Sequence, residues 1–189
     1  ITGADGPYTT QFVPLQNEAG HYMVGASYPG LGATTAQDKF DILGVKVNNG
    51  EVPQFKVTLN DSLKGSVPVQ NLSSIPLTQF SLLPVTLPNG AVIRFDTVAV
   101  LDGGKTINLS YTVSGSTLSP GSNYQAASLK AAAREGALQP VSVWYYCQAP
   151  NAYLEASITE IAVTTTATAG EKLVQFRLTD EATRHPIER

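Results

Sequence analysis

Apolar and polar residues alternate along most of this chain with a period of two, the pattern of strands with one buried and one wetted face. The cleanest run covers residues 106–113, where Ile107, Leu109, Tyr111 and Val113 interleave with Thr106, Asn108, Ser110 and Thr112. Residues 91–101 alternate similarly, with Arg94 and Asp96 set against Ile93 and Phe95. Asp102-Gly103-Gly104 between these runs predicts a hairpin, because glycine accepts the positive φ of tight hairpin turns. Asn49-Gly50 separates strands over 40–47 and 52–59, and Pro88-Asn89-Gly90 separates 78–85 from the strand at 91. Later strands are predicted over 141–148, 153–166 and 172–178. In 153–166, Leu154 and Ile158 fit one phase and Ile161 and Val163 the other, which a bulge would reconcile.

One segment departs from the pattern. Residues 123–135 (NYQAASLKAAARE) read as a short Ala-rich helix, capped by Ser119 or Ser122 and stopped by Gly136. Short strands over 8–14 and 21–25 adjoin a Gly/Pro/Thr loop over 25–35. Neither an internal repeat nor a linker stands out. The expectation is an all-β, antiparallel β-sandwich, jelly-roll or Ig-like, with one helix. It would form a single domain over 1–189 whose segment 1–38 is rich in loops.

Composition sharpens this picture. Charged residues make up 14 % of the chain, against roughly 25 % in soluble domains, and Thr, Ser, Ala, Val, Gly and Pro take their place. A net charge of −3, with no basic arm, argues against nucleic acid as a partner. No run is apolar enough over the length of a bilayer to predict insertion, and no signal peptide is visible. Starting at Ile1 rather than Met suggests a processed or excised chain. The single Cys147 excludes an internal disulfide and, within an apolar strand, is expected to be a buried, inert thiol.

Candidate chemistry is sparse. Gly104-Lys105-Thr106 resembles the tail of a phosphate-binding loop, but Ala99 stands where the first glycine belongs and a strand follows. His21 and His185 have no second imidazole or thiol at ligand spacing, so no metal site is expected. Asp38, Asp41 and Asp5 lack the spacing of a calcium loop. His21 is the better base for a Ser-His-Asp hydrolase, but no Gly-x-Ser-x-Gly elbow presents a nucleophile. No cofactor is predicted. Three N-glycosylation sequons begin at Asn60, Asn71 and Asn108.

Aromatic placement says more. In 141–148, Val141, Val143, Tyr145 and Cys147 share one face; Ser142, Trp144, Tyr146 and Gln148 share the other. Trp144 and Tyr146 could form an exposed platform for a sugar ring, with Gln148 bonding a hydroxyl. The expected arrangement is instead a central strand buried on both sides, the helix over 123–135 covering Trp144. Tyr22 and Tyr28, near the 25–35 loop, are further candidates for ligand or receptor contact.

Residues 59–69 (LNDSLKGSVPV), 80–100 with their Pro-Asn-Gly turn, and 141–168 (VSVWYYCQ…ITEIAVTTTAT) resemble the β-sandwich domains of non-enveloped virus capsid proteins. The resemblance is one of overall texture and carries no functional residues. The missing RNA-gathering basic arm makes it closer to a projecting domain than to a shell. It implies a non-enzymatic structural protein on the virion surface, assembling with copies of itself and meeting a host receptor through loops such as 25–35 and 114–123. The alternatives are a secreted carbohydrate-binding or adhesin module and, less favoured, a Ser/His hydrolase.

Overall fold

The computed structural model describes residues 11–15, 18–26, 30, 35–156 and 174–186. Within them the chain forms β1 (Gly20–Val24), β2 (Asp38–Ile42), β3 (Val45–Val47), β4 (Gln54–Thr58), β5 (Ser62–Asn71), β6 (Leu77–Thr86), β7 (Ala91–Phe95), β8 (Val98–Leu101), β9 (Thr106–Gly115), β10 (Gln125–Ala133), β11 (Gly136–Ala137), β12 (Val141–Gln148), β13 (Ala152–Ala156) and β14 (Phe176–Asp180). Two sheets make a β-sandwich. One has the order β4-β12-β10-β6-β8, with β11 added against β10; the other has the order β3-β5-β9-β7. Two ribbons, β1-β2 and β13-β14, stand beside them. Pairing is antiparallel except between β12 and β4, which run parallel.

The alternation expected from the sequence fills the space between the sheets. Phe55 and Val57 of β4, Phe80 and Leu82 of β6, Leu129 of β10 and Tyr145 of β12 are buried in one cluster with Val67 and Val69 of β5, Ile93 of β7, and Leu109 and Val113 of β9. At about 25 cal/mol per Å2 of apolar surface removed from water, this shared core is the main source of stability.

Three expectations need correction. Residues 125–133 form a strand, not a helix, and Ala127, Leu129 and Ala131 point inward at every second position. Alanine favours helix only weakly, and pairing on both edges, with β12 and β6, overrides that preference. Gly136 opens β11 after the Arg134-Glu135 turn rather than stopping a helix. Secondly, the run 91–101 breaks at Asp96-Thr97: β7 pairs with β9, whereas β8 pairs with β6 in the opposite sheet. Asp102-Gly103-Gly104 does turn the chain, with Lys105 N–H donating to the Asp102 carbonyl at 3.1 Å and Gly104 at φ +70°, but the strands it joins are not partners. Thirdly, the run 40–47 breaks at Leu43-Gly44 into β2 and β3.

Part of the expected strand 8–14, the strand ending at 166 with its bulge, and most of the 25–35 loop lie outside the described residues. β14 also shows a short echo of β4: Gln175-Phe176-Arg177-Leu178-Thr179 matches Gln54-Phe55-Lys56-Val57-Thr58 in type at every position. Phe55 and Val57 are buried, whereas Phe176 and Leu178 are exposed.

Where β5 leaves its sheet, the fully buried Asn71 ties the crossing together. Its side-chain N–H groups donate to the carbonyls of Ile75 (2.8 Å) and Leu101 (2.9 Å), and its Oδ1 accepts from Ser73 N–H (2.8 Å). The second sequon is therefore closed to modification in the folded protein, since both hydrogens of the amide that would carry a glycan are committed. Replacing Asn71 by Ala orphans three buried backbone groups and is expected to cost about 3 kcal/mol, read as a lower midpoint of urea unfolding at unchanged slope.

Candidate functional site

The outward positions of β12 lie on the outer face of the five-strand order, and no helix among the described residues covers them. Trp144 is 44 % exposed, correcting the expectation of a strand buried on both sides. Register sets its neighbours: Ala126 of β10 on one side and Gln54 of β4 on the other. Tyr146 is beside Lys56. Tyr124, just before β10, turns its ring towards both: centroids lie 6.3 Å from Trp144 at 37° and 5.5 Å from Tyr146 at 48°. Tyr124 is itself exposed. The result is an aromatic surface of three rings bordered by Gln54, Lys56, Ser128 and Ser142.

The far end of the same face is closed. Gln148 pairs with Thr58, whose hydroxyl donates to Asp180 of β14. Asp180 is 3 % exposed and accepts further bonds from the N–H groups of Ala182 (2.9 Å), Thr183 (3.0 Å) and Asn151 (3.0 Å). Burial alone would raise its pKa, but these donors outweigh it and hold the carboxyl down at about 2, from an ordinary 3.8. Gln148, expected to meet a ligand, is half-buried, and its Nε2 has no hydrogen-bond partner among the described residues.

Tyr22 is elsewhere, on β1. Its ring stacks on Phe40 of β2 at 5.5 Å and 14°, approaches Phe12 at 6.0 Å, and its hydroxyl donates to the Glu18 carbonyl at 3.0 Å. Tyr28 lies outside the described residues. Sequence reasoning did not select Tyr124, having placed it in a helix, nor Gln54 and Lys56, whose pairing with β12 is non-local. A groove of about 930 Å3 opens beside the platform, its lining including Glu18, Asp41, Leu43, Leu138, Pro53 and Ser142.

Both histidines meet carboxylates through Nδ1, His21 with Asp41 at 3.4 Å and His185 with Asp61 at 2.9 Å. In each case a nearby hydroxyl, from Ser74 or Thr183, bonds the carboxylate and not the imidazole. A hydrolytic triad needs the hydroxyl on the other ring nitrogen. The Ser74 bond and the His21 contact lower the Asp41 pKa. At Asp61 burial opposes ionisation, but Thr183 and His185 lower it. Cys147 is buried, and burial raises its thiol pKa, as expected of an inert cysteine. Among the described residues, no group of three His, Cys, Asp or Glu side chains could hold a metal ion, and no helix is long and apolar enough to cross a membrane.

No protein-family model matches the chain, and no curated protein matches it. Among solved structures it is similar to a secreted serine protease, VesC from Vibrio cholerae, at 14 % identity and a TM-score of 0.32. The match covers 53 % of this chain and 22 % of that one, a likeness too slight to bear on activity.

The clasp at Asp180 carries a pH signature. A carboxyl whose folded pKa lies below its ordinary value contributes stability above that value and loses it on acidification. The urea midpoint of the protein should therefore exceed that of Asp180→Asn by a constant margin at pH 6–7, and the margin should shrink as pH falls from about 4 towards about 2. A margin that persists unchanged at pH 2 would show that the ionised carboxylate does not hold the turn.

Proposed function

We propose that this chain is an extracellular binding module that takes a carbohydrate on the surface of Tyr124, Trp144 and Tyr146. The observation that carries this reading is the exposure of Trp144, an indole on a paired strand flanked by Ala126 and Gln54. The C–H face of a sugar ring packs on an aromatic π-face, while amides and hydroxyls at its border bond the ring's own hydroxyls. Strand pairing on both sides of β12 fixes the backbone that carries the indole, which reduces the ordering entropy lost on binding.

A second reading is favoured by Leu83 and Val85 of β6, both exposed. Together with Trp144 they would suit association between copies of the chain, as the capsid resemblance implies, because exposed aromatic and aliphatic side chains dominate protein interfaces.

Trp144 is the chain's single tryptophan, so its emission reports the platform alone. Glycan binding is expected to shift and enhance or quench that emission saturably. Trp144→Ala should weaken binding at least tenfold by calorimetry while its melting temperature stays close to that of the parent. A blue shift that grows with protein concentration in the absence of sugar would favour self-association. Indifference of the emission across a broad glycan panel would overturn the carbohydrate reading.

A further inference from the structure

Charge on the three strands around the platform is one-sided. The chain has 15 acidic and 12 basic side chains, Asp and Glu against Lys and Arg. Yet β4 (QFKVT), β10 (QAASLKAAA) and β12 (VSVWYYCQ) contain two lysines and no carboxylate. Both lysines occupy outward positions: Lys56 lies between buried Phe55 and Val57, and Lys130 between buried Leu129 and Ala131. Neither has a carboxylate within ion-pair distance among the described residues; the ion pairs found there involve the two histidines. The nearest carboxylates in sequence lie beyond the strand ends, and that of Glu135 is engaged by the Thr78 N–H at 2.8 Å and the Thr78 hydroxyl.

Register then gives a spacing. Lys56 is level with Tyr146, one strand away from it, while Lys130 lies four residues beyond Ala126, the partner of Trp144. At about 3.3 Å per residue and about 4.8 Å between strands, Lys56 is about 8 Å from Trp144 and Lys130 about 14 Å, on opposite sides. The two cations are separated by about 22 Å along a diagonal that passes over the indole. Small side chains, Ala126 and Ser128, floor the path between Trp144 and Lys130.

Resting on the carbohydrate reading, we infer that the ligand is an anionic oligosaccharide of several units, laid diagonally across the sheet. One sugar ring stacks on Trp144, and acidic groups at either end meet Lys56 and Lys130. The shared chemistry is a chain of sugar rings bearing fixed negative charge, from uronate carboxylates or from sulfate esters. Exposed cations add modest, salt-screened attraction, so the charges choose among glycans that the aromatic rings already hold.

The test titrates the Trp144 emission of the full chain with three probes: a uronate oligosaccharide, the same oligosaccharide with its carboxyls reduced to alcohols, and a sulfated oligosaccharide. The acidic probe is expected to bind at least tenfold more tightly than the reduced one in low salt, with the difference closing as salt is added. The double variant Lys56→Gln, Lys130→Gln should lose that preference, binding the acidic and reduced probes with equal affinity at every salt concentration. Preference for the sulfated over the uronate probe would support the inference and identify the anion as sulfate, and the reverse order would identify carboxylate. Equal affinity for acidic and reduced probes, with calorimetry showing both lost in Trp144→Ala, would overturn the charge inference and leave the platform standing. No emission change with any of the three, and no calorimetric binding in a wider glycan panel that Trp144→Ala abolishes, would remove both.

Discussion

Every connection from β3 through β10 carries the chain from one sheet of the sandwich to the other. On this the rest of the structure depends. Outside β10–β12, no strand of either sheet pairs with its neighbour in sequence, so both sheets are built around one shared core. The crossings must be tight, and their backbone polar groups need partners once buried. Asn71 meets that demand where β5 passes to β6, with one side chain serving two carbonyls and an N–H. Gly115 meets another constraint at the end of β9. A Cβ there would collide with the Tyr145 hydroxyl and the Cys147 sulfur of the facing sheet, so the close approach at this point requires a missing side chain.

A sandwich built this way commits its inward positions to packing and leaves its outward ones for other uses. On β12 the inward set is Val143, Tyr145 and Cys147, all buried, and burial raises the pKa of the Tyr145 phenol. The outward set includes Trp144 and Tyr146, held by the same backbone. Rigidity of the platform is thus inherited from the core. The turn after β14 then closes one end of that face through Asp180, so the open area is bounded by Thr58 and Gln148 at one end and continues towards Pro53 and Ser142 at the other.

The strands were largely legible because a period of two survives in Thr106–Gly115 and Val141–Gln148 whatever they pair with. Their pairing was not. Asp102-Gly103-Gly104 is a good turn, but a turn does not say whether the chain returns beside itself or crosses to the facing sheet; that is decided by the break at Asp96-Thr97, which carries no strong local signal. The helix expected over 123–135 came from alanine content, although Ala127, Leu129 and Ala131 already marked a strand. That error hid the site, since a helix there would have covered Trp144 and taken Tyr124 with it. Lys56 became relevant only through the parallel pairing of β4 with β12, strands far apart in the sequence.

The two near-identical segments on β4 and β14 show why local pattern cannot assign a role. Phe55 is 2 % exposed and Phe176 64 %, although their flanking residues match in type. What differs is the company. β4 faces a second sheet across the core, whereas β14 pairs only with β13 among the described strands. The same reasoning gives Trp144 its weight. An exposed aliphatic residue is common on any surface, but an indole on a paired strand, with an alanine beside it, the Tyr124 ring at 6.3 Å and Tyr146 at 5.5 Å from Tyr124, is a shaped surface. The hydroxyls near the two histidines, by contrast, are bonded to carboxylates in the arrangement of structural clasps. Of the features the fold presents, the aromatic face is the one whose geometry is complete without any change in the protein, and that is the physical ground for reading the chain through what it binds.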